Sequence, residues 1–213
     1  MHSCTPLFPL LALLAIAGLA QETPPEEARF TARDTHQGVT IAARPLADAA
    51  EAEAFFGKDS APVRGGLLAV EILVVNNRAG EIALNVERIA LLRNGDKFVQ
   101  LRPEEAALMM YPLPEGDPPK MGPRPLPLPR RPGGPRDKKR AEREETEASL
   151  ASRRFRTRFI PPGGRARGFL YFSLGEVETD LAGMQLYVPE VDDTGTGEGL
   201  LFFEIALAPA DKP

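Results

Sequence analysis

Few side chains in this chain could carry out catalysis or bind a metal. The 213 residues contain two histidines, His2 and His36, one cysteine, Cys4, and no tryptophan. A Ser-His-Asp triad, a Cys-His dyad, a HExxH zinc site and a multi-histidine centre each need parts that these residues do not provide. His36 lies in a polar stretch, and we interpret it as a solvated tail residue. We therefore expect a protein that is not an enzyme and has no cofactor.

Acidic residues are numerous, and four of them surround a glycine-rich turn near the end of the chain. These weak calcium candidates are Glu190, Asp192, Asp193 and Glu198. Calcium prefers six to eight oxygen ligands, which carboxylates supply, but the spacing does not match an EF-hand loop. An ordinary acidic loop explains the same residues, so we predict no metal site here and keep calcium as the alternative.

Paired carboxylates also hydrolyse glycosidic bonds without histidine. This leaves open an alternative from a different functional class, a carboxylate-dependent glycan hydrolase. Sugar-cleaving sites usually present aromatic platforms as well, whereas this chain has no tryptophan and three tyrosines. Incubation with a panel of glycans would separate this alternative from a binding protein.

Charge is distributed unevenly along the chain. Residues 120–168 contain 15 Lys or Arg and 5 Asp or Glu, a net charge of +10, whereas the whole chain carries −4. A basic arm of this kind can make the protein an adaptor on an anionic surface, with an unknown envelope protein, an anionic polymer or, peripherally, a membrane as its partner. Nucleic acid is not expected, because aromatic residues do not interleave with the basic ones from 120 to 154. The candidate contacts are Arg130, Arg131, Arg136, Lys138, Lys139 and Arg140. The alternative is a solvated linker that the acidic body of the same molecule partly neutralises.

The first twenty residues have the composition of a signal peptide. The uncharged apolar run from Pro6 to Ala20 is shorter than the roughly 20 residues that span a bilayer. Small residues at Gly18 and Ala20 suit signal peptidase, so we expect cleavage after Ala20 and a secreted or periplasmic protein. A retained anchor is the alternative. Residues 21–37 are polar and non-periodic, and we predict a disordered tail.

Alternating apolar residues indicate strands from residue 38 onward. Leu67–Asn77 is apolar at both parities except for Glu71, which predicts a central strand covered on both faces. Between Glu81 and Arg93 the apolar parity changes, so we predict a bulge or bend near Glu87 and Arg88. Asn94-Gly95 predicts a tight hairpin. Further predicted strands are 39–44, 96–101, 155–160, 165–174, 184–191 and 200–207, with short helices at 46–57 and from Pro103.

An insertion separates the two strand-rich parts. Residues 111–135 hold ten of the 22 prolines, which prevents a regular strand or helix. Residues 136–154 are strong helix formers with few apolar side chains, so we expect a solvated, fraying helix at best. Because neither part would bury both sheet faces alone, we predict one domain, 38–208, interrupted at 112–154, with a C-terminal tail at 209–213.

The runs LLAVEILVVNNRAGEIALNVERIALLRNGDKFVQLRPEE and RARGFLYFSL resemble secreted bacterial immunoglobulin-like domains of unknown function. The shared features are a hydrophobic strand ending in Asn-Asn, an Asn-Gly turn and a late Gly-Phe-Leu-x-Phe strand, whereas the immunoglobulin Cys…Trp…Cys core is missing. Short strands and turn signals favour an all-β, immunoglobulin-like antiparallel β-sandwich with short helices and this proline-rich, charged-helix insertion. The resemblance implies an extracytoplasmic module without catalysis. We expect a secreted β-sandwich with a binding or structural role in the cell envelope.

Overall fold

The structure is a computed structural model that describes residues 29–30, 32–58, 61–112, 135–175, 181–200 and 202–208. Strands predominate over helices. The strands are β1 (Ala32–His36), β2 (Val39–Leu46), β3 (Leu67–Asn76), β4 (Ile82–Leu84), β5 (Ala90–Arg93), β6 (Asp96–Leu101), β7 (Phe159–Ile160), β8 (Arg165–Ser173), β9 (Met184–Val188), β10 (Val191–Asp193) and β11 (Phe203–Ala206). The helices are α1 (Ala49–Phe56), α2 (Pro103–Met110) and α3 (Pro135–Arg153). In the described part of the chain, no helix is long and apolar enough to cross a bilayer.

Eight strands form one antiparallel sheet in the order β1-β2-β3-β8-β6-β5-β9-β11. β1 and β11 stand at the two ends of this order yet lie side by side, so the sheet curls almost into a barrel. Asp34 Oδ2 accepts a hydrogen bond from the Glu204 backbone N–H across this seam, at 3.4 Å. A second antiparallel sheet, β10-β4-β7, packs its apolar residues into the same core. The predicted antiparallel, mainly β class is therefore confirmed.

β3 has the two-sided character that its sequence predicted. Every residue of the strand is buried. Leu68, Val70, Ile72 and Val74 face the main core inside the curled sheet. Leu67 and Ala69 face a second apolar cluster on the outer surface, and Leu73 and Val75 belong to a third. β3 pairs with β2 before the insertion and with β8 after it, so strands from both parts of the chain meet in one sheet.

The change of apolar parity between Glu81 and Arg93 corresponds to a break in the strand. β4 ends at Leu84, a 3₁₀ turn covers Val86–Arg88, and β5 begins at Ala90. The turn lets Ile82, Leu84, Ile89 and Leu91 all face the main core despite their opposite parities. The predicted irregularity is confirmed, although it is a 3₁₀ turn rather than a bulge. The Asn94-Gly95 hairpin is confirmed too, with φ of 51° and 93°, which a type I′ turn requires.

The predicted disordered tail over residues 21–37 is wrong for Ala32–His36. These residues form β1, which pairs in register with β2 through a tight turn at Gln37-Gly38. Both turn residues have positive φ, 47° and 82°. A Cβ on Gly38 would also approach Arg78 Cγ to 3.2 Å, so glycine suits this position for two reasons.

The helices α1, α2 and α3, here called the helical cap, cover part of the outer surface of the large sheet. The position of α3 corrects the prediction for residues 136–154. The expected helix is present, but it is not fully solvated, because Leu150 and Thr146 are buried. α3 packs against α2, and the Tyr171 hydroxyl donates to the Leu150 carbonyl oxygen at 2.9 Å. The cap shares one apolar cluster with β2, β3 and β8, formed by Leu46, Ala52, Phe56, Ala61, Leu67, Ala69, Ala106, Leu150, Phe169 and Tyr171.

One strand prediction and one turn prediction in the second part of the chain need correction. The strand predicted over 155–160 contains only the two residues of β7, because Phe155 instead crosses β8 closely at Gly168. A Cβ on Gly168 would lie 2.5 Å from Phe155 Cα, so only glycine allows this crossing. The turn predicted over 192–199 includes part of β10, which pairs with β4. The predicted leader, 1–20, the prolines of 113–134 and the tail 209–213 lie outside the described residues.

Candidate functional site

The basic residues that the sequence singled out on α3 are largely balanced by acids of the same helix. From Arg136 to Glu147 there are five basic and five acidic residues. Lys138 Nζ lies 3.7 Å from Glu142 and Arg140 Nε lies 2.8 Å from Glu144, while Lys138, Lys139 and Arg140 are all exposed. Arg130 and Arg131 lie outside the described residues, and so does the side chain of Arg136. Residues 136–147 of the predicted basic arm therefore contribute no net charge.

Within this basic region, the net positive charge comes from the residues that start at the end of α3. Residues 153–167, here called the arginine segment, contain six arginines and no Asp or Glu. The segment runs from the last residue of α3 through β7 to the start of β8. Arginine offers planar pairs of N–H donors that match phosphate and carboxylate groups, and it is always charged. The arginines are Arg153, Arg154, Arg156, Arg158, Arg165 and Arg167.

Several arginines of the segment also stabilise the fold. Arg154 and Arg158 approach Glu87 on the 3₁₀ turn, at 3.4 and 3.9 Å. Arg156 Nη2 donates to the Ala151 carbonyl oxygen at 2.7 Å, which satisfies one of the last carbonyls of α3. These contacts fix the course of the chain after α3 and thereby the position of its arginines.

A buried ion cluster anchors Arg167 on the outer surface of the sheet. Its carboxylate is Glu71 of β3, whose side chain is 0% exposed. Arg167 contacts Glu71 Oε1 through Nε and Nη2, and Arg44 Nε donates to Oε2 at 3.1 Å. Arg44 Nη2, which is buried, lies 2.8 Å from the same oxygen as an ion-pair contact without a well-aligned hydrogen bond. Arg44 and Arg167 thus share one buried carboxylate.

Arg44 has further partners that fix its side chain. Its Nη1 lies 3.4 Å from Glu51 of α1, and its guanidinium stacks 5.1 Å from the Phe55 ring centre. The Arg44 side chain is 17% exposed and that of Arg167 is 33% exposed. Arg167 is therefore the arginine of this cluster with more access to solvent.

The calcium candidates do not gather around one point in the structure. Glu190 contacts Arg88 and accepts from Asn85 Nδ2 at 2.9 Å. Asp193 accepts from Arg78 Nη2 at 3.0 Å and from the backbone N–H groups of Gly195 and Thr196. The hydrogen bond from Arg78, followed by the one from Thr196, holds the pKa of Asp193 below its usual range. Among the described residues, no group of three or more His, Cys, Asp or Glu side chains is arranged to hold a metal.

His36 occupies a different environment from the one that its sequence suggested. It ends β1, its Nε2 lies 2.9 Å from Asp34, and its ring centre lies 5.3 Å from that of Phe203 in β11. The prediction of a solvated tail residue is therefore wrong, because His36 packs in the seam between the first and last strands of the sheet.

A cleft of about 700 Å³ lies in the cap between the end of α1 and α3. Two carboxylates, Glu142 and Glu145, line it together with the aromatic side chains of Phe56 and Tyr111. Lys138, which pairs with Glu142, is also part of its wall. The cleft thus combines acidic, basic and aromatic groups.

Comparisons of the chain with models of known protein families, with curated proteins and with solved structures gave no match. The candidate site therefore depends on the geometry of this chain alone. From the sequence, the positive charge was assigned to residues 120–168 as a whole, and the arginine segment was not recognised as the part without acids. The signal was present in the order of charges, because acids alternate with bases only up to Glu147.

Proposed function

We propose that this chain is a secreted, non-catalytic binding module of the cell envelope whose arginines contact an anionic partner. The observation that carries the proposal is the arginine segment, with six arginines and no acid on an ordered part of the fold. A surface of one sign attracts the opposite charge and speeds association, an effect that salt screens. The proposal includes secretion after cleavage at Ala20, which rests on the sequence of residues 1–20.

The proposal also includes a finer assignment of the fold, an immunoglobulin-like sandwich. An immunoglobulin-like sandwich is supported by the antiparallel pairing and by the second sheet, β10-β4-β7, which packs on the same core. The approach of β1 to β11 fits a curled, barrel-like sheet equally well.

The test measures binding of the chain to long-chain inorganic polyphosphate over a range of salt concentrations, with neutral dextran as the control. We expect binding that weakens steeply with salt, because each phosphate contact releases counterions. Binding to dextran at the same strength, or no binding to polyphosphate at 50 mM salt, would contradict the proposal.

The glycan hydrolase alternative has one observation in its favour, the pair Glu142 and Glu145 in the cleft of the cap. Residues three apart on a helix lie on one face, about 5–6 Å apart at Cβ. A retaining hydrolase needs two carboxyl groups about 5–5.5 Å apart. Turnover in a glycan panel that is abolished by both E142Q and E145Q, and not by E147Q on the same helix, would favour this alternative over the binding module.

A further inference from the structure

The outer surface of the large sheet carries exposed aromatic and aliphatic side chains on the four strands β6, β5, β9 and β11. Their neighbours along the strands, such as Leu91, Leu186 and Ile205, face the main core. Strand register places the outward residues in two adjacent rows, Val99-Ala90-Tyr187-Glu204 and Lys97-Leu92-Gln185-Ala206. These eight residues, together with Phe202 just before β11, are here called the aromatic patch.

Two aromatic rings of the aromatic patch lie side by side at the surface. Phe202 is 51% exposed, and its ring centre lies 5.9 Å from that of the partly buried Tyr187. Val99, two strands away across Ala90, is 66% exposed. Exposed apolar side chains that adjoin one another, rather than lying singly, mark a surface that binds something.

Polar side chains border the rings of the aromatic patch. Gln185 lies beside Tyr187 in the neighbouring row and is partly buried, whereas Lys97 and Glu204 at the two margins are exposed. A glutamine amide can both donate and accept hydrogen bonds, and the tyrosine hydroxyl can do the same. The aromatic patch therefore offers apolar surface at its centre and hydrogen-bonding groups around it.

The size of the aromatic patch favours a narrow ligand over a second protein. Two rows about 7 Å apart on four strands about 4.8 Å apart cover roughly 200–300 Å². A stable protein–protein interface takes about 800 Å² from each partner, so the aromatic patch alone is too small for a stable dimer. Sites for narrow ligands combine apolar and aromatic side chains with a few polar groups, as this one does.

The chemistry of the aromatic patch indicates which narrow ligand it suits. A pyranose ring packs the C–H bonds of one face against an aromatic ring while its equatorial hydroxyls point sideways to polar groups. The separation of the Tyr187 and Phe202 rings is close to the length of one sugar unit in a chain. Leu92 and Val99 add aliphatic surface that suits an acetamido methyl, and the Gln185 amide can bond the acetamido group. N-acetylated sugars therefore match more of this surface than unsubstituted ones.

We propose that the aromatic patch binds a β-linked chain of N-acetylated hexosamine units. This inference goes beyond the proposed function, because the arginine segment runs from the end of α3 to the start of β8 and contributes no residue to the aromatic patch. The molecule thus holds a glycan and an anionic partner on separate surfaces, and either site can fail without the other.

The experiment measures binding of chitohexaose by calorimetry, with cellohexaose, which lacks acetamido groups, as the comparison. Phe202→Ala is compared with Phe159→Ala, a matched control because Phe159 is 59% exposed on β7 of the second sheet. We expect F202A to lower chitohexaose affinity about tenfold, as for the loss of one stacking ring, and F159A to change it less than twofold. The polyphosphate affinity of F202A should stay within twofold of wild type.

A second variant tests the acetamido contact without removing a ring. Wild-type chain should bind chitohexaose at least fivefold more tightly than cellohexaose, and Gln185→Ala should bring the two affinities within twofold of each other. Circular dichroism and urea unfolding of each variant check that the fold is retained.

Three results would overturn the proposal. Wild-type chain that binds no chitohexaose at millimolar concentration, or equal losses in F202A and F159A, would remove the glycan site while leaving anion binding in place. Equal wild-type affinity for the two hexaoses would overturn the assignment to N-acetylated units. Sedimentation velocity that shows a wild-type dimer and an F202A monomer would assign the aromatic patch to a second copy of the chain instead.

Discussion

The outer surface of the large sheet has two halves that the same three strands, β2, β3 and β8, supply. Towards one end, outward residues such as Leu67, Phe169 and Tyr171 are apolar and lie beneath the helical cap. Towards the other end, β8 presents Arg165 and Arg167 outward, beside the third apolar cluster of Phe30, Ala42, Leu73 and Val75. Glu71 lies at the border and contacts arginines on two neighbouring strands.

This difference shows that the polarity of a strand's outward side chains decides whether helices pack against that part of the sheet. Apolar outward side chains must be removed from water, so they hold α2 and α3 in place. Charged outward side chains gain nothing from such cover, because desolvating them is costly. We therefore treat the capped half as structural and the half with Arg165 and Arg167 as the binding half.

The largest effect is expected where the two halves meet. Glu71→Gln keeps the shape of the side chain but removes the buried carboxylate that Arg44 and Arg167 share. Breaking a buried ion cluster costs about 3–5 kcal/mol, and the lower end applies here because Arg167 is partly exposed. Urea unfolding at pH 7 measures the loss.

Glu87→Gln is the matched control for this variant. Glu87 also contacts two arginines, Arg154 and Arg158, but its side chain is 58% exposed. An exposed pair is worth at most about 1 kcal/mol, so the control loses little. Equal losses for the two variants would show that burial does not distinguish these carboxylates.

The capped half is weakened most by Leu150→Ala, which removes the fully buried side chain of α3. We expect a loss of about 2–3 kcal/mol, near the lower end for a buried leucine because the helix can settle into the space. Hydrogen exchange should become faster in α3, whereas polyphosphate affinity should stay within twofold of wild type. A parallel loss of affinity would mean that the two halves are not independent.

Much of the sheet was predictable because its strands obey a simple period. β3 carries apolar residues at both parities, which correctly indicated cover on both faces. The change of parity after Val86 located the 3₁₀ turn. These features are local, so alternation alone determines them.

Other features depend on contacts between distant residues, and the sequence did not reveal them. β1 is polar in alternate positions and has no apolar run, yet five registered pairs with β2 hold it. α3 docks through Leu150 and Thr146 and through the Tyr171 hydroxyl, which is too few apolar residues for a helical period to show. β1 and β8 are distant in the sequence, and only the strand order places them in one sheet.

A smaller effect is expected at the start of α2, where Glu105 stabilises the first turn. Its Oε2 accepts the Arg102 backbone N–H at 2.9 Å, and its Oε1 contacts the Arg102 guanidinium at 2.8 Å. The Arg102 side-chain hydrogen bond, followed by the backbone one, lowers the pKa of Glu105 below its ordinary value of 4.5. Because the folded pKa is below the unfolded one, this stabilisation is present above about pH 4.5 and is lost as pH falls through the folded pKa.

Glu105→Gln tests this pH dependence. At pH 7 we expect the variant to lose at most about 1 kcal/mol, the usual value of a helix cap. Unfolding free energies measured between pH 7 and pH 3 should converge for the variant and the wild type at the acid end. A difference that stays constant over this range would contradict the role of the Glu105 charge.

The smallest effect is expected at the exposed basic end of α3. Arg140 and Glu144 form an ion pair in which the base precedes the acid, the weaker order along a helix, so their coupling should be about 0.2–0.3 kcal/mol. A double-mutant cycle of R140A and E144A measures it by thermal or urea unfolding. R140A should also leave polyphosphate affinity within twofold, because Glu144 already neutralises that guanidinium. If R140A instead weakened polyphosphate binding as much as R165A does, α3 and the arginine segment would contribute alike, and the distinction between them would be lost.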